Sequence, residues 1–237
     1  MDARLKAGEM DLTDRQKAVL DAALALLVES GESLTMTNVA RRANCSKETL
    51  YKWFGNRDGL LTATVQWQAS KVRAVAFDRA HLDISKLSAG LKQFAADWLT
   101  VISGRTSIAL NRIAVSRAGS EKGRLGAIVL ANGRFAMGER LKPLLEAARD
   151  AGILAFDDAE EAFRTFFGLV GRDVQIRLLL GDRLAMTSAA IDREANEAAR
   201  QFLVLFGSGR GTDRASFEAP FRGAPQDEGS KRPPPSS

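Results

Sequence analysis

Between Met1 and Phe206 the chain has a single proline, Pro143; the other five of its six lie beyond Gly207. Proline removes a backbone donor and clashes with the preceding helical turn, so a stretch this long and nearly free of it permits long helices. The apolar residues use that freedom. Val19, Leu20, Ala23, Leu24, Leu27 and Val28 recur at the three- and four-residue spacing of one helix face. Thr13 followed by Gln16 has the form of a capping box at its start. Further helical patterns run over about 86–103, 107–117, 121–150, 158–180 and 187–206, with Gly104, Gly119, Gly152 and Gly181 between them. Pro143 should kink its helix or begin a new first turn. Alternating strand patterns are scarce, so the fold class predicted is all-α.

Composition bounds what such a fold can do. With 45% hydrophobic residues over 237 positions, a packed core is within reach. One cysteine excludes an intramolecular disulfide or a cysteine-based metal cage and fits a reducing cytoplasm. One histidine, His81, has no partner for a metal site. G-x-S-x-G, P-loop and H-E-x-x-H patterns are missing, so neither an enzyme nor a cofactor is expected. Asp157 and Asp158 read as the acidic first turn of the helix that follows. The longest nearly apolar run, Val19 to Val28, is half a membrane span, and the N-terminus lacks the apolar stretch of a secretory signal. In the last 31 residues, 15 are Gly, Pro or Ser; that segment, 207–237, is expected to be a disordered tail, and residues 1–12 a flexible arm.

The charge is concentrated in one place. The net value is +5, yet residues 1–62 carry nine basic and nine acidic side chains. Within them, residues 36–57 hold Arg41, Arg42, Lys47, Lys52 and Arg57 against Glu48 alone. The same segment has the punctuation of two short helices. Thr35 can cap a helix whose inward side is Val39, Ala40 and Ala43; Asn44 tolerates the positive φ of a tight stop. Ser46 caps a second helix that buries Leu50 and Phe54 and presents Lys47, Thr49, Tyr51 and Lys52. Asn56 can cap a third, through Leu60, Leu61, Val65 and Trp67. A pair of short helices joined by a tight turn, the second capped and basic, describes a helix-turn-helix.

The run Val39-Ala40, Ala43-Asn44-Cys45-Ser46-Lys47-Glu48-Thr49-Leu50-Tyr51-Lys52-Trp53-Phe54-Gly55-Asn56-Arg57-Asp58-Gly59-Leu60-Leu61 resembles the DNA-binding domain of the TetR/AcrR family. Segments Asn111–Arg117 and Ala147–Leu154 are similar to the branch with an AefR-type C-terminal domain. Asn44, Cys45 and Arg57 replace the family's usual glycine, valine and lysine. The resemblance implies a helix-turn-helix domain over 13–60 and a helical ligand-binding and dimerisation domain over 61–206. It implies that Thr37, Tyr51, Lys52 and Arg57 hold phosphates, that Lys47, Glu48 and Thr49 read base edges, and that Ser46, the cap of their helix, also belongs to the DNA-binding surface. Trp53 is either a groove-wall contact or a lid on the small core. Cys45 is read as an inert thiol, with oxidation in the turn as the other reading.

One helix-turn-helix contacts too few base pairs for useful specificity, so a homodimer on a palindromic operator of double-stranded DNA is expected. Two stripes suggest its seam: Phe163, Phe167, Val170 and Val174, then Ile191, Ala195, Ala198 and Phe202 at a coiled-coil-like spacing. The helices between about 60 and 155 should enclose a small-molecule effector, with Trp67, Phe94, Trp98, Phe135 and Met137 as walls and Arg112 or Arg117 orienting a polar group. The function expected is a ligand-released repressor in the cytoplasm, with no membrane partner. The rival is a helical protein–protein adaptor without sequence-specific DNA binding.

Overall fold

A computed structural model describes residues 12–30, 34–116, 118 and 124–209. The N-terminal arm before Leu12, Arg117, and the tail from Arg210 onward lie outside the described residues. Helices α1 (Asp14–Ser30), α2 (Met36–Arg42), α3 (Lys47–Phe54) and α4 (Arg57–Ala69) come first. They are followed by α5 (Ile84–Ser103), α6 (Arg105–Ser116), α7 (Arg124–Leu130), α8 (Ala136–Asp150), α9 (Ala159–Gly171), α10 (Val174–Leu179) and α11 (Ser188–Phe206). Among the described residues there is no strand, only one isolated antiparallel bridge between Leu154 and Gly207.

The helix starts obey the caps. Gln16 donates its backbone N–H to Thr13 Oγ1 at 3.2 Å while Thr13 N–H donates to Gln16 Oε1 at 2.9 Å, a reciprocal box. Thr35 Oγ1 accepts from the Asn38 amide, Ser46 Oγ from Thr49, and Asn56 Oδ1 from Gly59. Each such cap is worth about 1 kcal/mol.

Two regions depart from the periodicity. The pattern over 158–180 predicts one helix, but Arg172 adopts φ 39° and divides it into α9 and α10. Its side chain turns back, with Nε donating to the Leu169 carbonyl and Nη1 3.5 Å from Glu194. The apolar stripe continues across the break, which is why spacing alone does not register it. The pattern over 121–150 predicts a kink or a new first turn at Pro143; no new turn begins there, since α8 continues through Pro143, and a π-turn at Ala131–Phe135 lies between α7 and α8. Single π-turns inside helices are frequent at functional sites.

The buried side chains form two clusters. In one, Val19, Leu20, Val39, Leu50 and Leu60 of α1–α4 pack with Leu110 and Ile113 of α6 and Leu125 of α7. In the other, Leu91, Phe94 and Leu99 of α5 pack with Leu141 and Leu145 of α8, Phe163 and Phe166 of α9, and Phe202 of α11. Thus α6 and α7, although C-terminal in sequence, sit on the N-terminal cluster, and α4 reaches from one cluster to the other.

The two stripes expected as the dimer seam pack largely into that second cluster. Phe163, Val170, Val174, Ile191, Ala195, Ala198 and Phe202 are all buried within the protomer, and Phe167 is half-buried against the same core. Phe202, for example, sits edge-on to Phe166 with ring centroids 5.3 Å apart. An intermolecular seam and an intramolecular stripe have the same helical spacing, so the period cannot separate them. The exposed large apolar groups lie elsewhere, among them Val204 (59% exposed) and Leu205 (62%) on α11, Ile176 on α10 and Leu180 (81%) after it, and Val115 on α6.

Candidate nucleic-acid interface and effector cavity

Helices α2 and α3 and the turn between them are held from several sides. Asn44 takes φ 48°, where asparagine is the best tolerated residue after glycine. The Cys45 amide closes back to the Ala40 carbonyl at 3.0 Å. Arg15 of α1 donates from Nη2 to the carbonyls of Ala43 and Asn44, at 2.9 and 2.8 Å, so α1 pins the turn directly. Sequence reasoning passes over Arg15, because its target lies 28 residues away and nothing local marks it. Arg42 forms a two-pronged pair with Glu29 at 2.7 and 2.8 Å and ties α2 to α1. That pairing keeps the Glu29 carboxyl below its ordinary range.

The turn into α4 is sterically tight. Gly55 ends α3 at φ +75°, and a Cβ placed on Gly59 would meet the Phe54 carbonyl oxygen at 2.0 Å. Gly59→Ala must therefore displace backbone, and we expect a loss of about 1–3 kcal/mol in urea-melt stability, with weakened DNA binding as α4 shifts against α3.

On the outer surface, Thr37, Lys47, Glu48, Tyr51 and Lys52 are exposed, and Thr49 is half-buried. Lys47 and Tyr51 lie four residues apart on one helical row, Glu48 and Lys52 on the next. Glu48 stays ionised: its own backbone amide and the Ser46 hydroxyl hold its carboxyl below the usual range. Three of the expected contacts have other work. The Ser46 hydroxyl caps α3. Arg57 donates from Nε to the Leu34 carbonyl at 2.6 Å, bracing α4 on the segment before α2, and its Nη1 lies 3.8 Å from Asp58. Trp53 is half-buried, edge-on to Phe54 at 6.2 Å and packed on the N-terminal cluster, which is the lid arrangement. With Arg42 and Arg57 engaged, Arg41, Lys47 and Lys52 remain as basic side chains of this segment that form no salt bridge with the described residues.

A cavity of about 180 Å³ lies where the two clusters meet. Its wall combines Val65, Gln68, Ala69 and Val72 at the end of α4 and beyond with residues of α5, α6, the π-turn, α9 and α10. Of the expected ligand residues, it takes Trp98 and Met137. The others are elsewhere for identifiable reasons. Trp67 turns to α1, donating Nε1–H to Asp21 Oδ1 at 2.8 Å. Phe94 is fully buried behind Trp98, and Phe135 projects outward. Arg112 is spent on the carbonyls of Leu178 and Leu179, at 2.7 and 3.0 Å, where it caps the end of α10. Residues the sequence does not suggest include Gly133, Arg134, Phe167 and Gln175. A second cavity, of about 330 Å³, lies within the N-terminal domain beside Trp53 and Phe54.

The rod formed by α7, the π-turn and α8 is fastened along α4 at three levels. Arg124 meets Asp58 at 2.5 Å, Gln66 donates to Asn132 at 3.0 Å, and Arg140 donates to the carbonyls of Ala69 and Val72. Burial lowers the Arg140 pKa. Arg140→Met would leave both carbonyls without that donor, and we expect about 1–3 kcal/mol less stability by denaturant titration.

Comparisons with known proteins agree with this geometry. The family described as bacterial regulatory proteins, tetR family, matches residues 19–64, and the AefR-like transcriptional repressor C-terminal domain matches residues 89–208. A TetR transcriptional regulator from Agrobacterium tumefaciens is 45% identical with a TM-score of 0.71, over 84% of this chain and 97% of that one. The flavonoid-responsive regulator FrrA is 29% identical with a TM-score of 0.61, over 81% and 97%. The HTH-type regulator BetI of Paraburkholderia phymatum is 34% identical over 35% of this chain, and the match spans 53% of that relative's length. The uncharacterised HTH-type regulator YdeS of Bacillus subtilis is 44% identical over 46 residues, 23% of its length. The chain belongs to the TetR family of bacterial transcriptional regulators, DNA-binding proteins of the repressor type, and carries an AefR-like C-terminal domain. Among the described residues no helix is long and apolar enough to cross a membrane.

Proposed function

We propose that this regulator is a homodimeric cytoplasmic repressor that binds a palindromic operator and is released by a small molecule held in the cavity between the two clusters. The observation that carries the reading is the position of that cavity: α4 supplies part of its wall and runs from there to the turn that follows α3. A 13-residue helix spans about 20 Å as one stiff body. An effector that fills the cavity presses on the rod and, through Asp58, Gln66, Ala69 and Val72, displaces α4 and the recognition helix with it.

Lys47, Glu48 and Thr49 read base edges, while Thr37, Tyr51 and Lys52 hold phosphates and set the register. Arg57 acts from behind, bracing α4. The two protomers meet through the outward surface of α11 and the end of α10, where Val204, Leu205 and Leu180 are left uncovered. In the free dimer the recognition helices then match successive major grooves, about 34–36 Å apart. Reversing occupancy from 99:1 to 1:99 takes about 5.5 kcal/mol of differential affinity between the two spacings. FrrA, by its name, responds to flavonoids, which supports a small organic effector for a chain of this architecture.

The test is binding of the full chain to an arbitrary duplex between about 50 and 200 mM salt. Several phosphate contacts per dimer predict a steep log–log fall in affinity, with a slope of about −0.9 per contact. Weak binding indifferent to salt would contradict the proposal and favour the adaptor.

A further inference from the structure

The lining of the cavity is specific enough to name what it accepts. Its aromatic wall is Trp98 against Phe167, with ring centroids 3.9 Å apart, and Met137 lies beside them. Its polar groups are uncharged with one exception: Gln68, Ser107, Asn111 and Gln175 are amides or a hydroxyl. Asn111 donates to the Ser107 carbonyl at 2.8 Å and Gln68 accepts from Lys71 at 2.9 Å, which leaves the Asn111 carbonyl and the Gln68 amino group open. The side chain of Gln175 has no hydrogen-bond partner among the described residues. No buried side-chain polar atom among these residues lacks a partner, so the open groups are ones that a ligand or solvent can reach.

The exception is Arg134, and its charge is already answered. Its guanidinium lies 3.0 Å from Glu160 and over the rings of Phe163 and Phe167, at 4.7 and 5.0 Å. An anionic ligand would have to take Arg134 from Glu160, and a cationic one would find no carboxylate in the wall. The anion would gain Arg134 only by leaving Glu160 to Lys142 alone, 3.4 Å away, and the cation would lie unpaired, whereas a hydrogen-bonded neutral group carries neither cost. Size sets the second limit. An apolar cavity of about 150 Å³ admits benzene, so about 180 Å³ admits one ring with small substituents.

We infer that the cavity selects an uncharged molecule with a single aromatic ring and a small amide, carbonyl or hydroxyl substituent, stacked on Trp98 and Phe167 and hydrogen-bonded to Gln175 and Asn111. The inference rests on the reading of this cavity as the effector site.

The test is calorimetric titration of the full chain with four probes of one shape series: benzamide, its anionic isostere benzoate, its cationic isostere benzamidine, and the two-ring 4-phenylbenzamide. Benzamide is expected to bind at least tenfold more tightly than each of the others. Ala69→Leu, which fills the cavity, should weaken benzamide more than tenfold. Gln175→Leu breaks no side-chain hydrogen bond with the described residues and should weaken it at least threefold, with an unchanged melting curve. Benzoate or benzamidine binding as well as benzamide overturns the inference, as does tighter binding of 4-phenylbenzamide that Ala69→Leu abolishes, or no heat from any of the four. DNA affinity is measured on the same samples. If benzamide binds as predicted but leaves that affinity unchanged, the ligand class stands and the effector reading fails.

Discussion

Phe202→Ala is expected to lower the unfolding free energy of the protomer by about 3–5 kcal/mol, the usual cost of truncating a buried phenylalanine. Phe202 is fully buried, edge-on to Phe166 at 5.3 Å and 4.8 Å from the Phe206 ring. The loss is one of internal packing, so a denaturant melt should register it at every protein concentration. The outward surface behaves oppositely. Leu205→Glu, at a position 62% exposed, removes nothing from the core. It should leave the protomer's own stability nearly unchanged while shifting the species seen in sedimentation from dimer toward monomer. A Phe202→Ala protein that is as stable as the parent but monomeric would return the seam to the inward stripe.

The second large effect falls on α3, the proposed recognition helix. Tyr51 and Lys52 are exposed, and neither side chain forms a hydrogen bond or salt bridge with the described residues, so Tyr51→Ala with Lys52→Ala should fold normally. On the proposed dimer this change removes four phosphate contacts. At about 1 kcal/mol each, the affinity for DNA falls roughly 10³-fold. The salt slope should flatten at the same time, since fewer counterions are released. Anisotropy on a labelled duplex measures both. An unchanged affinity would remove α3 from the interface.

The helix-turn-helix is readable because its signals are local. Thr35, Ser46 and Asn56 each cap a helix within three residues, and Asn44 supplies the one positive φ that the turn requires. What escapes is what depends on distant partners. Arg15 reads as an ordinary helix-surface residue until the turn at Ala43 folds onto it. Trp67 and Arg112 carry the chemistry of a binding wall, but Asp21 and the end of α10 engage them first. The π-turn is invisible to hydrophobic periodicity, which records which face is buried and not which carbonyl each amide meets. The stripe of α9 and α11 is correctly located as an apolar face, yet nothing in a period distinguishes a partner helix of the same chain from one of another.

Whether this chain reads sequence through α3 decides the rest. Selection from a random duplex library, followed by sequencing of the retained fraction, measures that without the operator having to be known in advance. The prediction is an enriched palindrome whose half-sites are centred about one helical turn apart or a multiple of it, and its disappearance when Tyr51 and Lys52 are replaced by alanine. No enrichment, or an enriched motif indifferent to those two residues, would contradict it.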